Sequence, residues 1–217
     1  MEDFPGLNPE FVISTEDALR ELFSPPHEIA VAKVIGHLDK HARALIARSP
    51  FLCIGTQTPQ GDADVSPRGD PPGFVKVLNE RVLLIPDRPG NNRLDTQSNI
   101  IANPNVGIIF MIPGFDETLR INGKAKITTD PALLETMSVQ GRTPSVAIAV
   151  QVEEVLMHCA KAFRRARLWD PDQLQDRKEM PSLRQIILDQ TEAPPVSDAE
   201  LRKMDEELEK SYQRSMY

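Results

Sequence analysis

Between residues 51 and 157 the chain is a succession of short segments rich in apolar and β-branched residues, a pattern typical of strands. Hairpin-forming residues join several of them, as in Pro59-Gln-Gly-Asp62, Asn79-Glu-Arg81 and Asn122-Gly123. Tight turns of this kind favour an antiparallel sheet or barrel over parallel crossovers, which need long connections. The predicted strands span residues 51–54, 74–78, 82–85, 106–112, 118–127 and 146–157.

Helices are predicted before, between and after these strands. Apolar residues recur every three or four positions from Ile29 to Leu45, which predicts a helical region that covers an open end or face of the sheet. The chain turns polar and helical after Trp169-Asp-Pro171, and its last helix, 197–217, carries one thin apolar stripe and looks peripheral. Shorter helices are predicted at residues 18–23, near 95–102 and after 130–131.

The predicted fold is therefore mainly β with flanking helices, of the α+β class. A chain of 217 residues suits one domain with additional helices at its ends. The predicted division is an N-terminal helical segment of residues 1–48, a barrel domain of residues 49–171 and a C-terminal helical extension of residues 172–217.

Charge and composition limit the partners that this chain can have. A net charge of −7 argues against a protein that coats nucleic acid, so local basic clusters suggest small anions instead. Cys53 and Cys159 have neither disulfide-framework nor zinc-site spacing. No signal peptide or bilayer-length apolar run is recognisable, so we expect a cytoplasmic protein that has no membrane partner.

Two polar loops follow strand-like runs, at residues 64–70 and 85–94, and one predicted hairpin lies between them. The hairpin would bring both loops to the same edge of the sheet, where Arg68 and Arg93 could converge on one anion. In the first loop Ser66 offers a hydroxyl and Arg68 a forked cationic donor. The alternative is an ordinary strand exit in which Arg68 pairs with Asp64 or Asp70.

The second loop crowds arginines and asparagines around Pro89-Gly90, immediately before a predicted helix. The free N–H groups of a helix start favour phosphate, so this loop is the stronger candidate for an anion site. The alternative is that Asn91 or Asn92 caps the helix and that Arg88 and Arg93 are solvated.

A third basic cluster lies in residues 158–169, beside Trp169. Basic and planar groups together suit a phosphate joined to a flat ring, but a basic helix end docked on an acidic partner surface has the same pattern. Nucleic acid is a weaker alternative because the patch is short. The basic residues of this cluster are Lys161, Arg164, Arg165 and Arg167.

Other catalytic patterns are weak. His37 and His41 lie four residues apart on the predicted helix, but no third ligand is evident and no metal site is predicted. Ser66 has no recognisable histidine partner and no nucleophile elbow occurs, so a small-anion hydrolase rests only on the basic loops.

Five segments together resemble the pyridoxamine 5′-phosphate oxidase-like flavoproteins, in particular an uncharacterised bacterial branch, over roughly residues 30–171. The resemblance implies a homodimer of split β-barrels that binds FMN at the subunit interface. It also implies that residues 49–171 are the flavin-binding domain. The segments are Asp64-Val-Ser-Pro-Arg-Gly-Asp70, Leu84-Ile-Pro-Asp-Arg-Pro-Gly-Asn-Asn-Arg93, Ile101-Ala-Asn-Pro-Asn-Val106, Leu119-Arg-Ile-Asn-Gly123 and residues 158–169.

The resemblance also implies roles for individual residues. Arg68, Asn92 and Arg93 would bind the FMN phosphate, while Lys161 or Arg165 would arrive from the other subunit. The isoalloxazine would be bordered by Val65, Ser66 and Pro67, and Ile85, Pro86, Asp87 and Asn91 complete the predicted cofactor-binding set.

Two departures from the family argue against vitamin B6 oxidation. The Ser-Arg-Lys phosphate segment of true pyridoxamine phosphate oxidases is replaced by Asn-Asn-Arg, and a helical tail stands where they carry a C-terminal arginine-containing stretch. The leading hypothesis is an FMN-dependent oxidoreductase that acts on a nicotinamide cofactor or a small organic substrate. The alternative is a non-enzymatic flavin- or haem-binding module, in which His158 would matter for haem.

Overall fold

The computed structural model describes residues 4–217, and the chain forms two compact units, residues 1–34 and 35–217. In the described part of the first unit, α1 spans Glu16–Arg20 and α2 spans Glu28–Ala32. The side chain of Thr15 caps α1 by accepting a hydrogen bond from the backbone N–H of Ala18. Every residue from 4 to 34 is exposed. The predicted three-part division of the chain stays a prediction.

The second unit is built on one seven-stranded antiparallel sheet, in the order β2-β1-β5-β6-β7-β4-β3. The mainly β fold with flanking helices is therefore confirmed. The strands are β1 (Phe51–Gln57), β2 (Ala63–Gly69), β3 (Lys76–Val77), β4 (Val82–Pro86), β5 (Asn105–Met111), β6 (Thr118–Thr128) and β7 (Ala147–His158).

Alternation along the strands builds the core. Leu52 and Ile54 of β1 lie opposite Phe110 and Ile108 of β5, and all four side chains are buried. Each such side chain stabilises the fold by roughly 1.5–3 kcal/mol relative to an exposed one. The helices of this unit are α3 (Lys40–Ile46), α4 (Asp95–Ala102), α5 (Pro131–Glu135), α6 (Lys161–Ala166), α7 (Leu183–Gln190) and α8 (Asp198–Ser215).

The sheet is rolled into an antiparallel split barrel. Strand β2 is one edge of the sheet, and β4 lies next to the other edge. Residues of β2 and of the end of β4 nevertheless line one cavity, so the two sides of the sheet approach each other. No helix among residues 4–217 combines the length and the apolar character needed to cross a membrane.

Three local predictions are wrong. The single helical region from residue 29 to 45 is two short helices, because residues 33–39 leave the helix and Ile35 forms a bridge with Val155. Residues 64–70 were predicted as a loop but lie largely in β2, where an edge strand tolerates Pro67. The predicted strand 74–78 is only Lys76–Val77, although its hairpin with β4 does form.

Candidate functional site

A cavity with a volume of about 920 Å³ lies between the two sides of the rolled sheet. Its walls are β2, the end of β4, the loop from Asp87 to Leu94 and the first turn of α4. Two distant segments complete it, residues 142–146 and Tyr217. Four arginines line it against three aspartates, namely Arg68, Arg88, Arg93 and Arg142 against Asp64, Asp87 and Asp95.

Every half-buried residue of β2 lines this cavity. Asp64, Ser66 and Arg68 are the half-buried residues of the strand, and all three line the cavity. Val65 is 69% exposed and does not line it, whereas Pro67 does.

Arg68 is held by neutral partners and has no carboxylate partner. Its Nη1 donates to Ser66 Oγ at 2.6 Å and to the carbonyl oxygen of Pro67 at 2.8 Å. Its Nε is buried and lacks a hydrogen-bond partner within the described chain, as does Asp64 Oδ2. None of the ion pairs among residues 4–217 includes Arg68, so the alternative pairing with Asp64 or Asp70 is wrong. A buried donor without a partner carries a desolvation cost that a bound anion can remove.

The loop before α4 leaves the start of that helix uncapped. Leu94 is the N-cap residue at φ 59°, and it makes no side-chain capping bond. Asn91 instead accepts a hydrogen bond from the backbone N–H of Arg93 at 3.1 Å, so the alternative, a helix cap by Asn91 or Asn92, is wrong. The left-handed backbone of Asn92 and Leu94 is costly for a leucine, and such strain is typical of ligand sites. The first N–H groups of α4 therefore lack a side-chain acceptor at the cavity wall.

Asp87 is a half-buried carboxyl on the cavity wall. Its Oδ1 accepts a hydrogen bond from Gln97 Nε2 at 2.6 Å. Burial raises the pKa of Asp87, while the charge of Arg68 and the bond from Gln97 oppose the rise. The carboxyl is thus more easily protonated than an ordinary aspartate.

Arg88 and Tyr217 form another part of the wall, and both bind Asp70, which lies behind it. Arg88 Nε donates to Asp70 Oδ2 at 2.6 Å, and its Nη2 donates to the carbonyl oxygen of Met137 at 2.9 Å. The hydroxyl of Tyr217 donates to Asp70 Oδ1 at 2.6 Å, which raises the pKa of that phenol. Arg88 Cζ also lies 5.7 Å from the centroid of the Tyr217 ring.

The structure brings most of the predicted site residues together. The cavity is not lined by Ile85, which is fully buried in the core, nor by Lys161 or Arg165, which are exposed on α6. Helix α6 follows the end of β7 that lies opposite the cavity, roughly 35 Å along the strand from Ala147. The predicted residues that line the cavity are Ser66, Pro67, Arg68, Pro86, Asp87, Asn91, Asn92 and Arg93.

Some cavity residues escaped prediction. Arg142 and Tyr217 come from segments with no local ligand-binding signal, and only the tertiary fold brings them to the site. Gln97 lies in the first turn of a helix that the sequence did predict, so its side chain could have been placed near the loop.

The third basic cluster is partly neutralised by local pairing. Arg164 pairs with Asp116, Arg167 pairs with Asp170, and Trp169 Nε1 donates to the carbonyl oxygen of Phe115 at 2.7 Å. Within residues 4–217 no group of His, Cys, Asp and Glu is arranged to hold a metal ion. His37 lies outside α3, so the prediction of His37 and His41 on one helix is wrong.

Several solved structures resemble this chain. HupZ of Group A Streptococcus is 20% identical, with 55% of this chain and 92% of that chain covered and a TM-score of 0.45. General Stress Protein 26 from Bacillus anthracis is 14% identical, with 53% and 88% covered and a TM-score of 0.42. An FMN-binding protein from Syntrophomonas wolfei is 5% identical, with 66% and 96% covered and a TM-score of 0.41.

A search of the curated proteins found no match. The family model described as pyridoxamine 5′-phosphate oxidase matches residues 38–159, a range that contains all the strands of the sheet and most of the cavity wall. Because this match spans more than half of the chain, the protein belongs to the pyridoxamine 5′-phosphate oxidase family.

Proposed function

We propose that this protein binds FMN in the cavity and transfers a hydride or electrons between the flavin and a nicotinamide cofactor or small organic substrate. The observation that carries the proposal is the buried Nε of Arg68, which has no partner among the described residues. It lies in the same cavity as the uncapped start of α4, and both groups suit a phosphate.

The residues present fit the cofactor. A volume of about 920 Å³ lies within the range of ligand pockets, about 300–1,000 Å³. Arg68, Asn92 and Arg93 would hold the phosphate together with the N–H groups of α4. Ser66 and Pro67 would border the ring, with Val65 next to them in β2.

Bound FMN supplies the redox chemistry, and the chain supplies binding, orientation and electrostatics. Arg68 and Arg142 line the cavity and take part in none of the ion pairs among residues 4–217, so their charges favour an anionic ligand. Asp87 lines the same cavity, and burial raises its pKa, so it takes up a proton more easily than an ordinary aspartate does.

The proposal includes a homodimer. Lys161 and Arg165 are exposed and remote from the cavity of their own chain, so they would contribute only to the cavity of a second copy. We therefore propose that the flavin lies where two copies meet.

The test is the visible spectrum of the freshly purified protein, followed by denaturation and mass analysis of any released chromophore. A flavin spectrum and a released mass equal to FMN are the expected results. Bleaching of the bound flavin by NADH or NADPH under anaerobic conditions would separate an enzyme from a binding module. A colourless protein that does not take up added FMN would contradict the proposal, and a haem spectrum would replace it with haem binding.

A further inference from the structure

Helix α8 is held near the cavity by a contact that lies beyond its own end. The helix has no buried residue, and it begins with a capping box of Ser197 and Glu200 on its exposed side. Tyr217, two residues after the helix, lines the cavity and bonds to Asp70. Tyr217 is therefore the residue of the segment from Asp198 to Tyr217 that reaches the cavity wall.

Other segments of the fold hold Asp70, the residue to which Tyr217 is bonded. The Asp70 side chain is 1% exposed, and its two oxygens accept from Arg88 and from Tyr217. Arg88 is fixed in turn by the carbonyl oxygen of Met137. Asp70 is held by Arg88, and Arg88 is held by Met137. The carboxylate that accepts the hydrogen bond of the phenol therefore keeps its position when Tyr217 moves away.

We propose that Tyr217 is a gate residue of the cavity: its anchored ring is a removable part of the wall that limits access of a ligand to β2. The identity of that ligand, a flavin, rests on the proposed function, but the gate does not. Releasing one hydrogen bond and one ring contact frees this part of the wall, whereas the parts formed by β2 and β4 are held by their pairing with β1 and β7.

A thiol placed inside the cavity tests the gate without any flavin. Ser66→Cys, in a Cys159→Ser background, puts a thiol on the half-buried face of β2, and the rate of its reaction with dithionitrobenzoate reports access. Reaction of Cys53 is measured in the same background without Ser66→Cys and subtracted. Tyr217→Phe removes the hydrogen bond, and Tyr217→Ala removes the ring as well.

We expect labelling to accelerate about tenfold in Tyr217→Phe, and further in Tyr217→Ala, because a bond to a buried carboxylate is lost. Tyr212→Phe and Tyr212→Ala are the matched controls, since Tyr212 lies on α8 away from the cavity lining, and they should label at the parental rate. Thermal denaturation of each variant verifies that the core is folded.

The results that would contradict the gate differ from those that would contradict the proposed function. If the protein binds no FMN but the Tyr217 variants are labelled faster, the gate is supported and the proposed flavin binding is contradicted. Equal labelling in the parental protein and both Tyr217 variants would overturn the gate, even where FMN binds. Equal acceleration by the Tyr212 variants would also overturn it, because any weakening of α8 would then open the cavity.

Discussion

Two arginine–aspartate pairs near the cavity have nearly the same length and very different surroundings. Arg88 and Asp70 are joined at 2.6 Å, with side chains 15% and 1% exposed. Arg93 and Asp95 are joined at 2.7 Å, with side chains 72% and 47% exposed. Burial therefore distinguishes the two pairs. The first pair is largely enclosed by the folded chain, while the second leaves its arginine open to water and to a ligand.

Arg68 differs from the arginines of both pairs. Its guanidinium is half-buried like that of a structural arginine, but serine and proline oxygens take the place of a carboxylate partner. Its positive charge is therefore not neutralised by an ion pair within the described chain. We expect stability to depend on Arg88, ligand affinity to depend on Arg68, and Arg93 to contribute weakly to both.

The largest effect is expected from breaking the buried pair. Arg88→Met leaves the Asp70 carboxylate buried without its cation, so the free energy of unfolding should fall by about 3 kcal/mol. Urea denaturation at neutral pH measures the loss.

The double variant Asp70→Asn/Arg88→Met is the control for this change. It should recover part of the loss, because no uncompensated charge then remains buried. A loss below about 1 kcal/mol in Arg88→Met would place this pair in the class of surface ion pairs.

The second effect concerns the ligand. Arg68→Ala should weaken FMN binding by roughly ten- to a hundredfold, because charge-assisted bonds to a phosphate are lost at a half-buried position. Fluorescence titration of the protein freed of flavin measures the affinity. Arg202→Ala, on the exposed side of α8, is the matched control and should bind as the parent does. An unchanged affinity in Arg68→Ala would remove Arg68 from the proposed phosphate site.

The sequence predicted the central part of the fold well because its periodic patterns are local. Strands β5, β6 and β7 lie within one or two residues of their predicted bounds, and α4 coincides with the predicted helix. The edge strand β2 was missed because its Ser-Pro-Arg-Gly stretch has turn chemistry, and its pairing with β1 outweighs that local preference.

The candidate site was predictable only where its residues are close in sequence. The loop from Asp87 to Leu94 has a recognisable composition, so its position at the cavity could be expected. Tyr217 reaches the cavity through a bond to a residue 147 positions earlier, and no local pattern predicts such a contact. Asp70 was likewise considered a partner of Arg68, because the choice between two arginines depends on packing.

A smaller effect is expected from the exposed pair. Arg93→Ala should leave the urea midpoint unchanged, since its ion pair with Asp95 is solvated and screened. FMN affinity should fall only about threefold at low salt, and the difference should vanish near 1 M salt, where the Debye length is about 3 Å. Titrations at the two salt concentrations measure this. A loss as large as that of Arg68→Ala, persisting in high salt, would show that bound ligand buries Arg93.

The smallest effect is a pH dependence of stability at Asp87. The pKa of this carboxyl is raised in the folded protein above its ordinary value of 3.8, mainly by burial. The stability that Asp87 contributes is therefore fully present below pH 3.8. It is lost as the pH rises through the pKa of the folded state, because the buried carboxyl then becomes charged. Asp87→Asn should gain stability over the parent across this interval and keep the gain above it, as measured by urea denaturation from about pH 3 to about pH 7. Gln97→Leu removes the donor that opposes the rise, so in that background the interval should extend to higher pH. A difference that stays constant over this range would mean that Arg68 and Gln97 cancel the effect of burial on the pKa, and a parent that gains stability over Asp87→Asn as pH rises would mean that they outweigh it.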